Sequence, residues 1–115
     1  MKNKYALYIG RWQTWHEGHE WLINQQLNKG KKIWIAIRDV EVDENNPKTA
    51  YELVNEIRNH PFILDNADNI LITVIPDIES VNYGRGVGYD VVYHEPPTDI
   101  EKISGTEIRN RQTKK

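Results

Sequence analysis

The sequence predicts an α/β fold built on a parallel sheet with flanking helices. Three short apolar runs read as buried strands: KYALYI from Lys4 to Ile9, KIWIAI from Lys32 to Ile37, and NILITVI from Asn69 to Ile75. Helical patterns separate them, with room for right-handed crossovers. The chain, 115 residues long, is read as a single domain, 1–115.

The first strand runs up to Gly10. A helix is expected from about His16 to Asn28, with Leu22, Ile23 and Leu27 as its apolar stripe and Gly30 as its stop. After the second strand comes a polar loop, RDVEVDENNP. The segment TAYELVNEIRNHP is the clearest helix, because Ala50, Leu53, Val54 and Ile57 fall at i, i+3, i+4 and i+7. Thr49 with Glu52 three residues on forms a capping box, and Pro61 follows the end. Beyond the third strand, YDVVY from Tyr89 to Tyr93 is expected as a fourth, and SGTEIRNR from Ser104 as a terminal helix capped by its serine.

Composition narrows the function. The net charge is −2, so no basic field suits duplex nucleic acid. No apolar run reaches the length of a membrane span. The first residues enter a strand pattern without a signal-peptide cleavage site. There are no cysteines, which excludes disulfides and thiolate metal sites and fits a reducing cytoplasm.

Sheets of this type bind ligands beyond the carboxyl ends of their strands. At the first such end lies YIGRWQTWHEGHEWLI, in which His16 and His19 flank Gly18. Positions i and i+3 share a helix face, the glycine lets a bulky group approach, and a helix N-terminus attracts anions. The pattern therefore fits a phosphate that gains charge during reaction. It lacks the i, i+4 spacing of a helical zinc pair, and no metal ligands are assigned. Two surface histidines without function remain the alternative.

GRWQTWHEGHEWLI resembles the nucleotidylyltransferase superfamily pattern G-R-F-x-P-F-H-x-G-H-x-x-L-I, with Trp12 and Trp15 at its aromatic positions and Thr14 where proline is usual. ISGTEIRNR, from Ile103 to Arg111, resembles the family's I-S-x-T-x-I-R signature, and NPKTAYELVNEI is similar to N-P-F-T-A-x-E-R of archaeal adenylyltransferases. The resemblance implies a Rossmann-like, trimmed nucleotidylyltransferase fold and an enzyme that joins CMP or AMP, from CTP or ATP, to a small phosphorylated acceptor with release of pyrophosphate. It implies that His16 and His19 bind the triphosphate and its reacting phosphorus, and that Arg109 neutralises the pyrophosphate. Gly10, Arg11 and Gly18 would lie along the nucleotide. Ser104, Gly105 and Thr106 would hold the outer phosphates, and Mg²⁺ would ride on the phosphates.

Other residues carry two readings each. Ser104 could be only a cap, and Arg109 a solvated charge. Trp12 and Trp15 could be packing, the preferred reading for Trp21 and Trp34. Glu17 reads as a first-turn charge and His60 as a helix end. His94, Arg38 and Lys48 are candidate ligand contacts, with solvated charge preferred for the two cations. Leu53 stands where the relatives carry arginine. Pro76 to Gly88 is too short for the helix–strand–helix that full-length relatives place there, and Gly84, Gly86 and Gly88 read as a turn needing positive φ, with Arg85 as the alternative acceptor contact. A non-catalytic nucleotide-binding module is the alternative function. Synthetase-like chemistry is remote, since no KMSKS-type motif is present. The small size suggests a homodimer that buries a sheet edge.

Overall fold

The structure, a computed structural model, describes residues 2–101, the side chains of 100 and 101 excepted. It is an α/β arrangement of the small Rossmann-like kind. Strands β1 (Tyr5–Gly10), β2 (Lys32–Asp39) and β3 (Ile70–Pro76) form a parallel sheet in the order β1-β2-β3. Helix α1 (Glu17–Leu27) joins the first pair. Helices α2 (Ala50–Arg58) and α3 (Pro61–Leu64), then a 3₁₀ turn at Ala67–Asn69, join the second.

Two right-handed crossovers that step in the same direction put their helices on the same face of a sheet. The register follows this rule. Ala6, Ile33 and Ile70 form one row, Tyr8, Ile35 and Ile72 the next, and Gly10, Ile37 and Val74 the last. These rows pack on Ile23 of α1, Ala50, Leu53 and Ile57 of α2, and Ile63 of α3. Ile23, Ile33, Ile35, Ile37, Leu53 and Ile57 are fully buried; full burial of such a side chain contributes about 1.5–3 kcal/mol. The opposite face carries Leu7, Trp34 and Leu71 in register, and Tyr5, Leu7, Ile9 and Leu71 are exposed there.

The caps follow the expected chemistry with one change. Thr49 Oγ1 accepts from the Glu52 N–H at 3.1 Å, but the Glu52 carboxylate accepts from the Thr49 hydroxyl instead of closing the box on the backbone. Pro61 takes the first turn of α3, where its missing N–H costs nothing.

The expected fourth strand is not there. Residues 89–97 form no strand, and Tyr89, Val91, Val92 and Tyr93 are exposed. An apolar run becomes a strand only when another strand satisfies its backbone groups, and YDVVY has no such partner among the described residues. The turn reading of the glycines holds at Gly86 and Gly88, with φ of +73° and +80°, and not at Gly84. A short helix, α4 (Thr98–Glu101), lies against α1. The expected terminal helix, with Ser104, Gly105, Thr106 and Arg109, lies outside the described residues. No helix among the described residues is long and apolar enough to cross a membrane.

Candidate active site

Between Gly10 and α1 the chain folds inward instead of looping over the surface. Trp12, Gln13, Thr14 and Trp15 are all buried. Trp12 adopts φ +56°, a conformation uncommon for a bulky side chain, and the Gln13–Thr14 peptide is cis. Its indole Nε1–H donates to the Ala36 carbonyl at 3.1 Å. The same indole lies over Gly10, where an added Cβ would come within 3.1 Å of it. The space a side chain at Gly10 would need is thus taken by Trp12.

His16 is the N-cap of α1, and His19 is the third residue of the helix. The His16 Nδ1 accepts from the Gly18 N–H at 3.0 Å. The His19 Nδ1 accepts from the His16 N–H at 3.2 Å. The two imidazoles therefore form a reciprocal capping box, a role usually filled by serine or threonine with glutamate or glutamine. Their rings stack, with centroids 3.8 Å apart. Because each Nδ1 is an acceptor, each neutral ring carries its proton on Nε2. Burial pushes the His19 imidazole down to about 3, and neighbouring His16 adds to the shift. Burial lowers His16 too, against the opposing pull of Glu17 and Glu20. Both rings are thus neutral near pH 7, with a stacked pair of Nε2–H donors at the positive end of a helix.

The surrounding loops are clamped together. The Gln13 amide donates to the Lys48 carbonyl at 2.7 Å and accepts from the Lys48 N–H at 3.1 Å. Arg11 donates to Asn46 Oδ1 at 3.2 Å. Asn46 is held by Asp43, whose carboxylate accepts from its backbone and side-chain amides. That carboxyl stays below its ordinary range: desolvation works against this, and the hydrogen bonds from Asn46 and Asn45, with Arg11 nearby, outweigh it.

The cations at this edge differ in what they have to spare. Arg38 pairs with Asp77 at 2.8 Å and reaches the Ile78 carbonyl, and Lys48 pairs with Glu56. Neither is the solvated charge read from the sequence. Arg11 is exposed and has no ion pair among the described residues. Arg85 sits on the turn before Gly86 and is exposed. His94 lies against Tyr8, ring centroids 6.5 Å apart. The Tyr8 hydroxyl donates to the Leu22 carbonyl at 3.0 Å. Burial pushes its phenol up to about 12, partly offset by a backbone contact at Gln26. Trp34 donates to Thr73 Oγ1 at 2.7 Å on the open sheet face.

His60 stands at a helix end before Pro61, as read from the sequence, but its contacts were not foreseen. It lies beside Trp15, ring centroids 6.2 Å apart, with its Nδ1 3.5 Å from Glu20 Oε2. Local spacing holds no signal for this, because the partners sit on different crossovers. Among the described residues, no group of three or more His, Asp or Glu is arranged to hold a metal ion.

Compared with models of protein families and with curated proteins, the chain matches none.

Proposed function

We propose that this chain is a nucleotidylyltransferase that transfers CMP or AMP from a nucleoside triphosphate to a small phosphorylated acceptor. An acceptor phosphate oxygen would form the new bond to the α-phosphorus. The bond from that phosphorus to the bridging oxygen would break, and pyrophosphate would leave with both electrons. An acceptor phosphate is already anionic at pH 7, so the step needs positioning and charge stabilisation, and no general base.

One observation supports this reading above the others: the reciprocal imidazole cap leaves two Nε2–H donors side by side at a helix N-terminus. Capping alone is a weak reason for these residues, since Ser, Thr, Asp or Asn caps as well or better. In the proposed role the donors meet oxygens of the reacting phosphate as it gains charge. Arg11 lies at the same strand end with donors to spare. Ser104, Gly105, Thr106 and Arg109 enter by the motif resemblance alone, as phosphate-binding and pyrophosphate-neutralising groups. Mg²⁺ would travel with the triphosphate, held mainly by phosphate oxygens.

The test is pyrophosphate release from ATP or CTP with Mg²⁺ and a panel of phosphorylated acceptors. One pairing should react, and His16→Ala and His19→Ala should each lower turnover on the order of 10²–10³-fold. Full turnover in both variants would overturn the assigned roles. The second reading, a non-catalytic nucleotide-binding module, draws on the irregular backbone of residues 89–97, which builds no further strand beside the site. It predicts nucleotide binding without pyrophosphate release for any acceptor.

A further inference from the structure

Glu20 stands in the first turn of α1, one residue beyond His19. A carboxylate there is favoured by the helix dipole. Beside a site that would take a phosphate, however, its charge works against the ligand. Its contacts give it another use. The Oε2 atom accepts from the Trp15 indole Nε1–H at 2.9 Å. The same oxygen lies 3.5 Å from His60 Nδ1, so one atom joins the loop before α1 to the corner between α2 and α3. Trp15 is only 4% exposed. Its ring packs against His19 with centroids 5.3 Å apart, while Trp12 meets the same imidazole edge-on at 4.9 Å. His19 therefore rests on two indoles that also touch each other, centroids 5.9 Å apart, and each indole N–H is tied down: Trp12 by the Ala36 carbonyl and Trp15 by Glu20.

We propose that Glu20 is a positioning residue for an oxyanion ligand: by anchoring Trp15, with His60 against the same oxygen, it fixes the His19 ring so that its Nε2–H faces a phosphate or pyrophosphate. The inference rests on the nucleotidyl-transfer reading for its ligand and on the packing alone for the effect on His19. The two possible roles of Glu20 act with opposite sign. As a bare charge near the site, it weakens anion binding, and its removal tightens binding. As an anchor, it strengthens binding, and its removal weakens it. Glu20→Gln separates them, because glutamine keeps the acceptor for Trp15 and drops the charge.

The experiment pairs inorganic pyrophosphate titration with ¹⁵N NMR of the imidazole nitrogens, which reads the tautomer and order of His19 without any ligand. Glu20→Ala should bind pyrophosphate on the order of tenfold more weakly, the scale of coupling between contacting residues. It should also lose the sharp Nε2–H signature of His19. Trp15→Phe, which keeps a ring and drops the indole N–H, should do the same. The double variant should be no worse than either single one. Glu20→Gln should keep the signature and bind pyrophosphate at least as tightly as the parent. If Glu20→Ala binds at least as tightly as the parent and keeps the His19 signature, Glu20 is only a first-turn charge and the proposal falls. Should the parent bind no pyrophosphate, the nucleotidyl-transfer reading fails on its own. The His19 signature in Glu20→Ala then decides the anchoring role by itself.

Discussion

The two nitrogens of His19 stand apart in the fold. Its Nδ1 accepts from the His16 backbone N–H, which leaves Nε2–H outside the cap, and the proposed function gives that donor to a phosphate. Glutamine at this helix position keeps a backbone acceptor and removes the titrating ring. The folded values of His16 and His19 lie below the ordinary 6.5, that of His19 at about 3. The unfolded chain therefore binds more protons in this window. Stability is complete above pH 6.5 and is lost as pH falls towards 3, by up to about 1.4 kcal/mol per pH unit for one fully shifted group. Melting curves between pH 7 and 4 should show this slope. His19→Gln should flatten it, hold the pH 7 melting temperature close to that of the parent and, under the proposed function, still lower turnover on the order of 10²–10³-fold. A neighbouring residue offers a second check. Thr14 Oγ1 is buried with no hydrogen-bond partner among the described residues. A buried hydroxyl without a partner costs about 1–3 kcal/mol, so Thr14→Val should raise stability on the order of 1 kcal/mol in urea denaturation. A loss instead would show that the hydroxyl is satisfied.

Among the elements, the loop after β2 matters as much as the helix that carries the histidines. Gln13 grips both backbone groups of Lys48, and Arg11 reaches Asn46, so the two loops at the carboxyl edge are tied together. Gln13→Ala removes one partner from each of two backbone groups, at a cost of about 1–3 kcal/mol. Hydrogen exchange at the Lys48 amide should speed up markedly, while amides in the centre of β2 exchange as before. Equal acceleration at both places would mean global destabilisation rather than a freed loop. The start of α1 was legible in the sequence, since a polar and glycine-bearing stretch between a strand and an apolar stripe can be read locally. That the imidazoles themselves cap the helix was not legible, because serine-type caps and histidine caps leave different sequence patterns and only the first is common.

For the whole molecule, the sheet has one closed face and one open face. Ile35 is fully buried against the helices, whereas Leu7, one pleat away on β1, is 47% exposed. Ile35→Ala should cost about 2–5 kcal/mol, as cavity-forming core truncations do. Leu7→Ala should cost well under half of that, and urea melts of the two variants measure the contrast. Similar losses would mean that the open face is covered in solution. The asymmetry follows from handedness: successive right-handed crossovers in one direction lay α1 and α2 on the same side.

The sequence by itself determined the three strands, the two long helices and the apolar rows that face them. These depend on periodicity and caps, which act over a few residues and can be read from them. Only the tertiary structure decided which groups meet. Trp12 donates to a carbonyl 24 positions away, and Gln13 clamps a residue 35 positions away. His60 comes to Glu20, and Arg38 and Lys48 find carboxylate partners, through the placement of separate crossovers. The missing fourth strand has the same cause. YDVVY has the composition of a strand, but hydrogen-bond pairing comes from a neighbour, and no local pattern encodes where that neighbour will be.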